Sequence, residues 1–261
     1  MESHAQPPVT LEGWYALHQA FAVDRRALRA LGGDSTAVGR AAVAALERAA
    51  APPDGGWSAV VRLVGSVADV MFIHLRPTLD ALADVREELA RVELGDVLRP
   101  TFAFLSVTEV GLYNLAGGGV AADPLHDTRL AAERESPHNR RRLFPGPPEG
   151  APYVSFYPTS KRRDAGQNWY TLPHAERGEL MRRHGLVGRK HAGRVRQIIT
   201  GSIGLDAWEW GVTLFADDPL ELKRVVTDMR YDETSAKYAE FGDFYVGRVI
   251  EPEHWVRLVV G

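Results

Sequence analysis

The 261-residue chain contains no cysteine. That absence removes disulfides, iron–sulfur clusters, thiolate zinc sites and thiol nucleophiles in one step. A bound metal must therefore draw on the nine histidines, on carboxylates or on a macrocycle. No uncharged apolar run reaches the roughly 18–20 residues that a membrane helix requires. The N-terminus, MESHAQPPVTLEG, is polar and has neither the basic start nor the apolar stretch of a secretory signal. A soluble cytoplasmic protein is the expectation. An excess of charge of one sign is lacking too: 31 Lys and Arg stand against 34 Asp and Glu, a net charge of −3. That balance argues against nucleic acid as the main partner. The phosphate-cradling Gly-rich loop ending in Lys-Ser/Thr, HExxH and GxSxG are all missing.

What is there is an ordinary globular composition, 45% hydrophobic and 25% charged, long enough for one large or two moderate domains. Patterning predicts strands at 14–23, 58–63, 69–75 and 101–110, a broken helical stretch over 24–50, and a helix from about 78 to 93. Residues 117–150 read as a long irregular connection. Beyond it, strands are expected at 151–156, 195–200, 208–215 and 241–248, with helices at 171–184 and 219–230. Thr171 reads as the N-cap of the first of these helices, and Gly185 as the residue just past its end. The run GSVADVMFIHL (65–75) aligns with GSIGLDAWEWGVTL (201–214), and each is followed by a helix and a closing strand. A strand–turn–strand–helix–strand unit used twice implies an α+β fold: two ferredoxin-like repeats closing into a dimeric-type α+β barrel. The division falls near residue 150. Residues 1–150 form the first half with its connecting loop, and 151–261 the second.

Several residues could carry chemistry. His184 follows Leu180 and Met181 on one apolar stripe. It reads either as a core histidine bonded to a carbonyl or, if a metal brings its other ligands, as a single axial ligand. Tyr157 and Lys161 lie four residues apart and face the same side of an extended chain. A phenol beside an ammonium suits proton or hydrogen-atom transfer, with the cation expected to lower the phenol's pKa from about 10. An interfacial tyrosine and a solvated lysine are the ordinary alternative. Arg196 and Gln197 point to opposite faces of a strand, so a cavity on the glutamine side holds a neutral amide there. The arginines Arg140–Arg142, the run Lys161–Arg163, and Arg230 with Ser235 nearby suit a substrate bearing several carboxylates.

The runs YPTSKRR (157–163), NWYTLP (168–173), ERGELMRRHG (176–185), RQIITGSIGLDAWEWGVTLFADDP (196–219) and DMRYDETSAKYAEFGDFYVG (228–247) resemble the chlorite dismutase-like superfamily. Within it they resemble the coproheme decarboxylases. The resemblance covers roughly Tyr153 to Val249 and is weaker before that. It implies a homopentamer with haem in the second half and a transient contact with the iron-inserting ferrochelatase. The implied reaction is hydrogen peroxide-dependent decarboxylation of two propionates of iron coproporphyrin III, giving haem b. By position, His184 is the axial iron ligand, Tyr157 the radical-forming residue and Lys161 its assistant. Arg142, Arg230 and Ser235 hold propionates, while Trp169 and Trp210 line or neighbour the pocket. An acceptor for the other ring nitrogen of His184 is implied, with Asp232 or Glu233 able to supply it. Gln197 stands where chlorite dismutases carry an arginine, which favours decarboxylation over chlorite breakdown. Thr159 replaces the family's methionine. The other readings are a chlorite dismutase or haem peroxidase, and a non-catalytic haem-binding protein.

Overall fold

Side chains alternate along β1 (Val9–Val23), and that alternation divides the molecule into layers. Ala16, His18 and Ala20 turn to one side, while Leu17, Gln19 and Phe21 turn to the other. The computed structural model describes residues 5–30, 35–113 and 126–260. The first half continues with α1 (Arg25–Ala30), α2 (Ser35–Ala50), β2 (Trp57–Leu63), β3 (Val70–Arg76), α3 (Leu79–Arg91) and β4 (Leu98–Leu112). Two short helices follow, α4 (His126–Glu135) and α5 (Pro137–Leu143). The second half holds β5 (Tyr153–Lys161), α6 (His174–Arg189), β6 (Val195–Gly201), β7 (Trp210–Ala216), α7 (Pro219–Tyr231), α8 (Glu233–Tyr238), β8 (Ala239–Phe241), β9 (Tyr245–Ile250) and α9 (Pro252–Val260).

The sheet runs β7-β6-β4-β1-β3-β2-β9-β5-β8, and β5 also pairs with β7. That extra pairing closes eight strands into a barrel and leaves no open edge around the ring. Each half contributes its four strands in the same spatial order, β4-β1-β3-β2 and β9-β5-β7-β6, with every pairing antiparallel. This is the ferredoxin-like order twice over. The halves join where β2 meets β9 and where β4 meets β6. The first seam is close: a Cβ on Gly247 would lie 2.2 Å from the carbonyl oxygen of Arg62.

The barrel interior is filled by Ala16, Ala20, Val61, Met71, Ile73, Phe104, Phe156, Phe215 and Tyr245 from both halves. Phe104, Phe156 and Phe215 are fully buried, each contributing on the order of 2–3 kcal/mol. His18 joins them, its Nε2 2.9 Å from Thr213 Oγ1 and its ring stacked on Phe156 at 4.1 Å. Outside the barrel, α2 and α9 cover the first half over Val60, Val70 and Phe72. In the second half α7 covers Tyr157, Val212 and Leu214 through Leu222, Val225 and Met229.

Three expectations change. Within the stretch read as irregular, residues 126–143 form α4 and α5, while 117–125 lie outside the described residues. Ser136 caps α5 with Pro137 in its first turn, a legible start signal masked by the polar, arginine-rich composition. The helix expected to stop at His184 starts at His174 and continues to Arg189, with Gly185 inside it. Thr171 instead ends a 3-10 turn, and Pro173 takes the N-cap position. The closing strand splits into β8 and β9 around residues 242–244. Among the described residues, no helix is long and apolar enough to cross a membrane.

Candidate functional site

The face of β5, β6 and β7 that looks towards the helices is set by register. Tyr157 pairs with Val212, while Ser155 and Gln197 both stand opposite Leu214. Directly opposed residues share a face, so Tyr157 and Gln197 lie on the side of the sheet that α7 covers. Arg196 turns the other way, and its guanidinium donates to the carbonyl oxygens of Gly146 and Pro147. Gln197 itself is exposed and, among the described residues, has no side-chain hydrogen bond. The face therefore offers a neutral amide at that point.

Tyr157 is buried, its ring stacked at 4.5 Å on Phe244 and 5.8 Å from Phe241. Arg230 lies over Phe241 at 3.8 Å. Burial pushes the Tyr157 phenol up to about 12, against the opposing pull of the Arg230 charge. This reverses the sequence expectation of a lowered pKa: loss of solvation for a phenolate outweighs the nearby cation. Lys161, at the end of β5, places Nζ 4.3 Å from the ring centre of the buried Trp169. Burial lowers its pKa to about 8, with Asp232 and Glu209 holding it up.

His184 is presented from α6. Its Nδ1 lies 2.8 Å from Asp232 Oδ2, and a carboxylate can only accept. Nδ1 therefore bears the hydrogen, and Nε2 keeps a lone pair with no hydrogen-bond partner among the described residues. Burial lowers the pKa of the imidazole, helped by Lys161 and opposed by Asp232. Asp232 also ends α7 and caps α8 by accepting from Ser235 N–H. Thr234 Oγ1 donates to Leu180 O at 3.1 Å, tying α8 to the turn of α6 before His184. Of the two candidate acceptors the fold selects Asp232. Glu233 instead pairs outward with Arg183 and Lys237.

These residues fall into three pairs: Tyr157 and Arg230 meet at Phe241, Lys161 lies over Trp169, and His184 shares Asp232 with the Ser235 N–H, the charges of Asp232 and His184 also acting on Lys161. Trp210 borders the group, its Nε1 3.4 Å from Glu109 Oε1. Arg142 stands apart on α5, which packs against β1 and β4; it is exposed and unpaired among the described residues. Its neighbour Arg140 is engaged by Glu135 at 3.0 Å. Glu209, buried between two tryptophans, was not singled out from sequence; an acidic residue entering an apolar strand was the available signal.

No group of three His, Cys, Asp or Glu side chains among the described residues is placed to hold a metal ion. A single oriented imidazole with an open nitrogen can instead serve a metal that arrives with its own macrocycle. A Cβ at Gly185, next to His184, would meet nothing within 4 Å. The class the fold and site define is an α+β barrel of two ferredoxin-like halves that offers one axial-ligand candidate with cationic side chains on the same half.

Comparison with known proteins agrees. The chlorite dismutase family model matches residues 38–250. A coproheme decarboxylase of Staphylococcus saprophyticus is 40% identical over 95% of this chain and 96% of its own. The structure of a haem-binding protein from Thermus thermophilus superposes with a TM-score of 0.84 at 37% identity, covering 98% of this chain and 99% of that one. A mutant chlorite dismutase from Candidatus Nitrospira defluvii shares the fold, with a TM-score of 0.74 at 18% identity over 96% and 97% of the two chains. The chain belongs to the chlorite dismutase family.

Proposed function

We propose that this protein is a coproheme decarboxylase. It takes iron coproporphyrin III as substrate and cofactor and converts two propionates to vinyl groups, leaving haem b. Each arm is oxidised by two electrons: a propionic acid and one hydrogen peroxide become a vinyl group, carbon dioxide and two waters. Bound coproheme supplies the iron that draws oxidising power from peroxide.

The residues fit that group. His184 would hold the iron through Nε2, the nitrogen left free by Asp232. Arg230, Lys161 and Ser235 would receive the carboxylates, and Trp169 would form part of the wall, since a tetracarboxylate needs charge-assisted donors. Tyr157 is neutral, with a pKa about 12, and so has a hydroxyl hydrogen to give. Lys161, with a pKa of about 8, is mostly protonated at neutral pH and would act as an ammonium donor to a carboxylate arm. The observation that carries this reading is an imidazole oriented by Asp232 with its Nε2 open: Lys161 acts on His184 and Asp232, and it shares a strand face with the buried phenol of Tyr157. The same reading makes the assembly a cytoplasmic homopentamer in passing contact with ferrochelatase, on the support of the family resemblance.

The test is peroxide titration of the coproheme-loaded protein with mass analysis of the extracted porphyrin. Loss of two carboxyl groups is expected; an unchanged tetracarboxylate sinks the proposal. Tyr157→Phe should bind coproheme yet stall. The neutral Gln197 weighs against chlorite breakdown, and rapid oxygen release from chlorite would reinstate that alternative. A carrier without turnover would tolerate Tyr157→Phe.

A further inference from the structure

β5 outruns its neighbour. Its pairing with β7 ends at Thr159 opposite Trp210, whereas its pairing with β8 continues to Lys161. Backbone groups of successive residues in a strand point alternately to either side. Thr159 O accepts from Glu209 N–H on the β7 side, and Arg162 N–H donates to Tyr238 O on the other. The N–H of Lys161 therefore points towards β7, where the chain has already turned away into residues 202–209. Its partner is a side chain: Glu209 Oε2 accepts that N–H at 2.7 Å. The other carboxylate oxygen takes Arg163, and Glu209 N–H also donates to Ser160 Oγ at 3.2 Å. Glu209 is 4% exposed. A carboxylate this buried is retained only where its acceptor sites are filled; here they hold the Lys161 N–H and the Arg163 guanidinium, while the Glu209 main chain holds Ser160.

We infer that Glu209 is a positioning residue for the reaction proposed above: it replaces the missing strand partner and so holds Lys161 on the face that carries Tyr157. The inference rests on the decarboxylase reading for its catalytic consequence, though not for its geometry. With the clamp in place the Lys161 main chain is fixed and its ammonium lies over Trp169. Without it the Lys161 N–H and Arg163 lose their acceptor, while Ser160 keeps its bond to the Glu209 main chain. Glutamine can still accept the Lys161 N–H through its amide oxygen; alanine cannot.

The experiment compares Glu209→Gln and Glu209→Ala with the parent protein in two measurements. The first is amide hydrogen exchange at Lys161 in porphyrin-free protein, which reports the clamp with no reference to turnover. The second is the rate of carboxylate loss from bound iron coproporphyrin III, with its affinity titrated in parallel. Glu209→Ala should lose protection at Lys161 and slow turnover by about tenfold or more with little change in affinity, as a small misplacement of a reacting group does. Glu209→Gln should retain both protection and most of the rate. Unchanged exchange and rate in Glu209→Ala overturn the inference. Equal damage in both variants overturns it as well, because charge or folding would then be at issue. A parent protein that strips no carboxylate refutes the decarboxylase reading, and with it the catalytic role; exchange at Lys161 separately decides whether the clamp exists.

Discussion

Asp232 Oδ2 accepts a hydrogen bond from His184 Nδ1 at 2.8 Å across 48 residues of chain. The same carboxylate caps α8, so the orientation of the imidazole and the break between two helices depend on one side chain. Asp232→Asn keeps a cap but removes the negative charge. A hydrogen-bond partner behind a metal-binding imidazole is worth about 10–100-fold in affinity or activity. Titration of iron coproporphyrin III should show weakening in that range with an unchanged circular dichroism spectrum. Retained affinity would mean that the carboxylate does not tune the imidazole.

Lys161 brings a pH dependence to the rate. An amine with a pKa of about 8 is mostly protonated below that value and mostly neutral above it. If the ammonium is needed to hold a propionate, carboxylate loss should fall as pH rises through about 8. Lys161→Arg, charged throughout, should flatten that limb whatever its absolute rate. A limb that persists in the arginine variant assigns the titration elsewhere.

His18 and His74 make the fold acid-sensitive. Burial lowers both to about 3 from the ordinary 6.5. Between those values the unfolded chain binds a proton that the folded state refuses, so stability is full above about 6.5 and is lost as pH falls towards 3. Each histidine should contribute a slope of about 1.4 kcal/mol per pH unit in that window. Denaturant unfolding at pH 7, 6 and 5 checks this, and His74→Asn should remove its own share of the slope. An unaltered slope would mean that the folded protein admits the proton.

Gln197 separates function from folding. Its side chain is exposed and unbonded among the described residues. Gln197→Ala should therefore change stability by less than about 0.5 kcal/mol. A shift in peroxide consumption by the coproheme-loaded variant would then report directly on the proposed site. A large fall in melting temperature would show that the amide supports the fold.

Much of this was legible in the chain. The strands and main helices announce themselves through alternation, helical spacing and turn residues, as in the run 65–75 and its counterpart 201–214. Ser136-Pro137 announces α5 as well, but polar arginine-rich surroundings give no apolar stripe to confirm a helix there. Gly185 misled because glycine ends helices more often than it interrupts them; a place in the middle of α6, beside open space, overrides that preference.

By itself the sequence determined the order of elements, the internal repeat and the residue types able to meet an iron tetracarboxylate, because these depend on local spacing and composition. Tertiary structure alone decided that β5 pairs on both flanks and closes the barrel, that Asp232 and not Glu233 meets His184, and that Tyr157 is raised and not lowered in pKa. Each of these follows from which atoms come together after distant segments pack, and from how much water that packing removes. Spacing along the chain does not encode either.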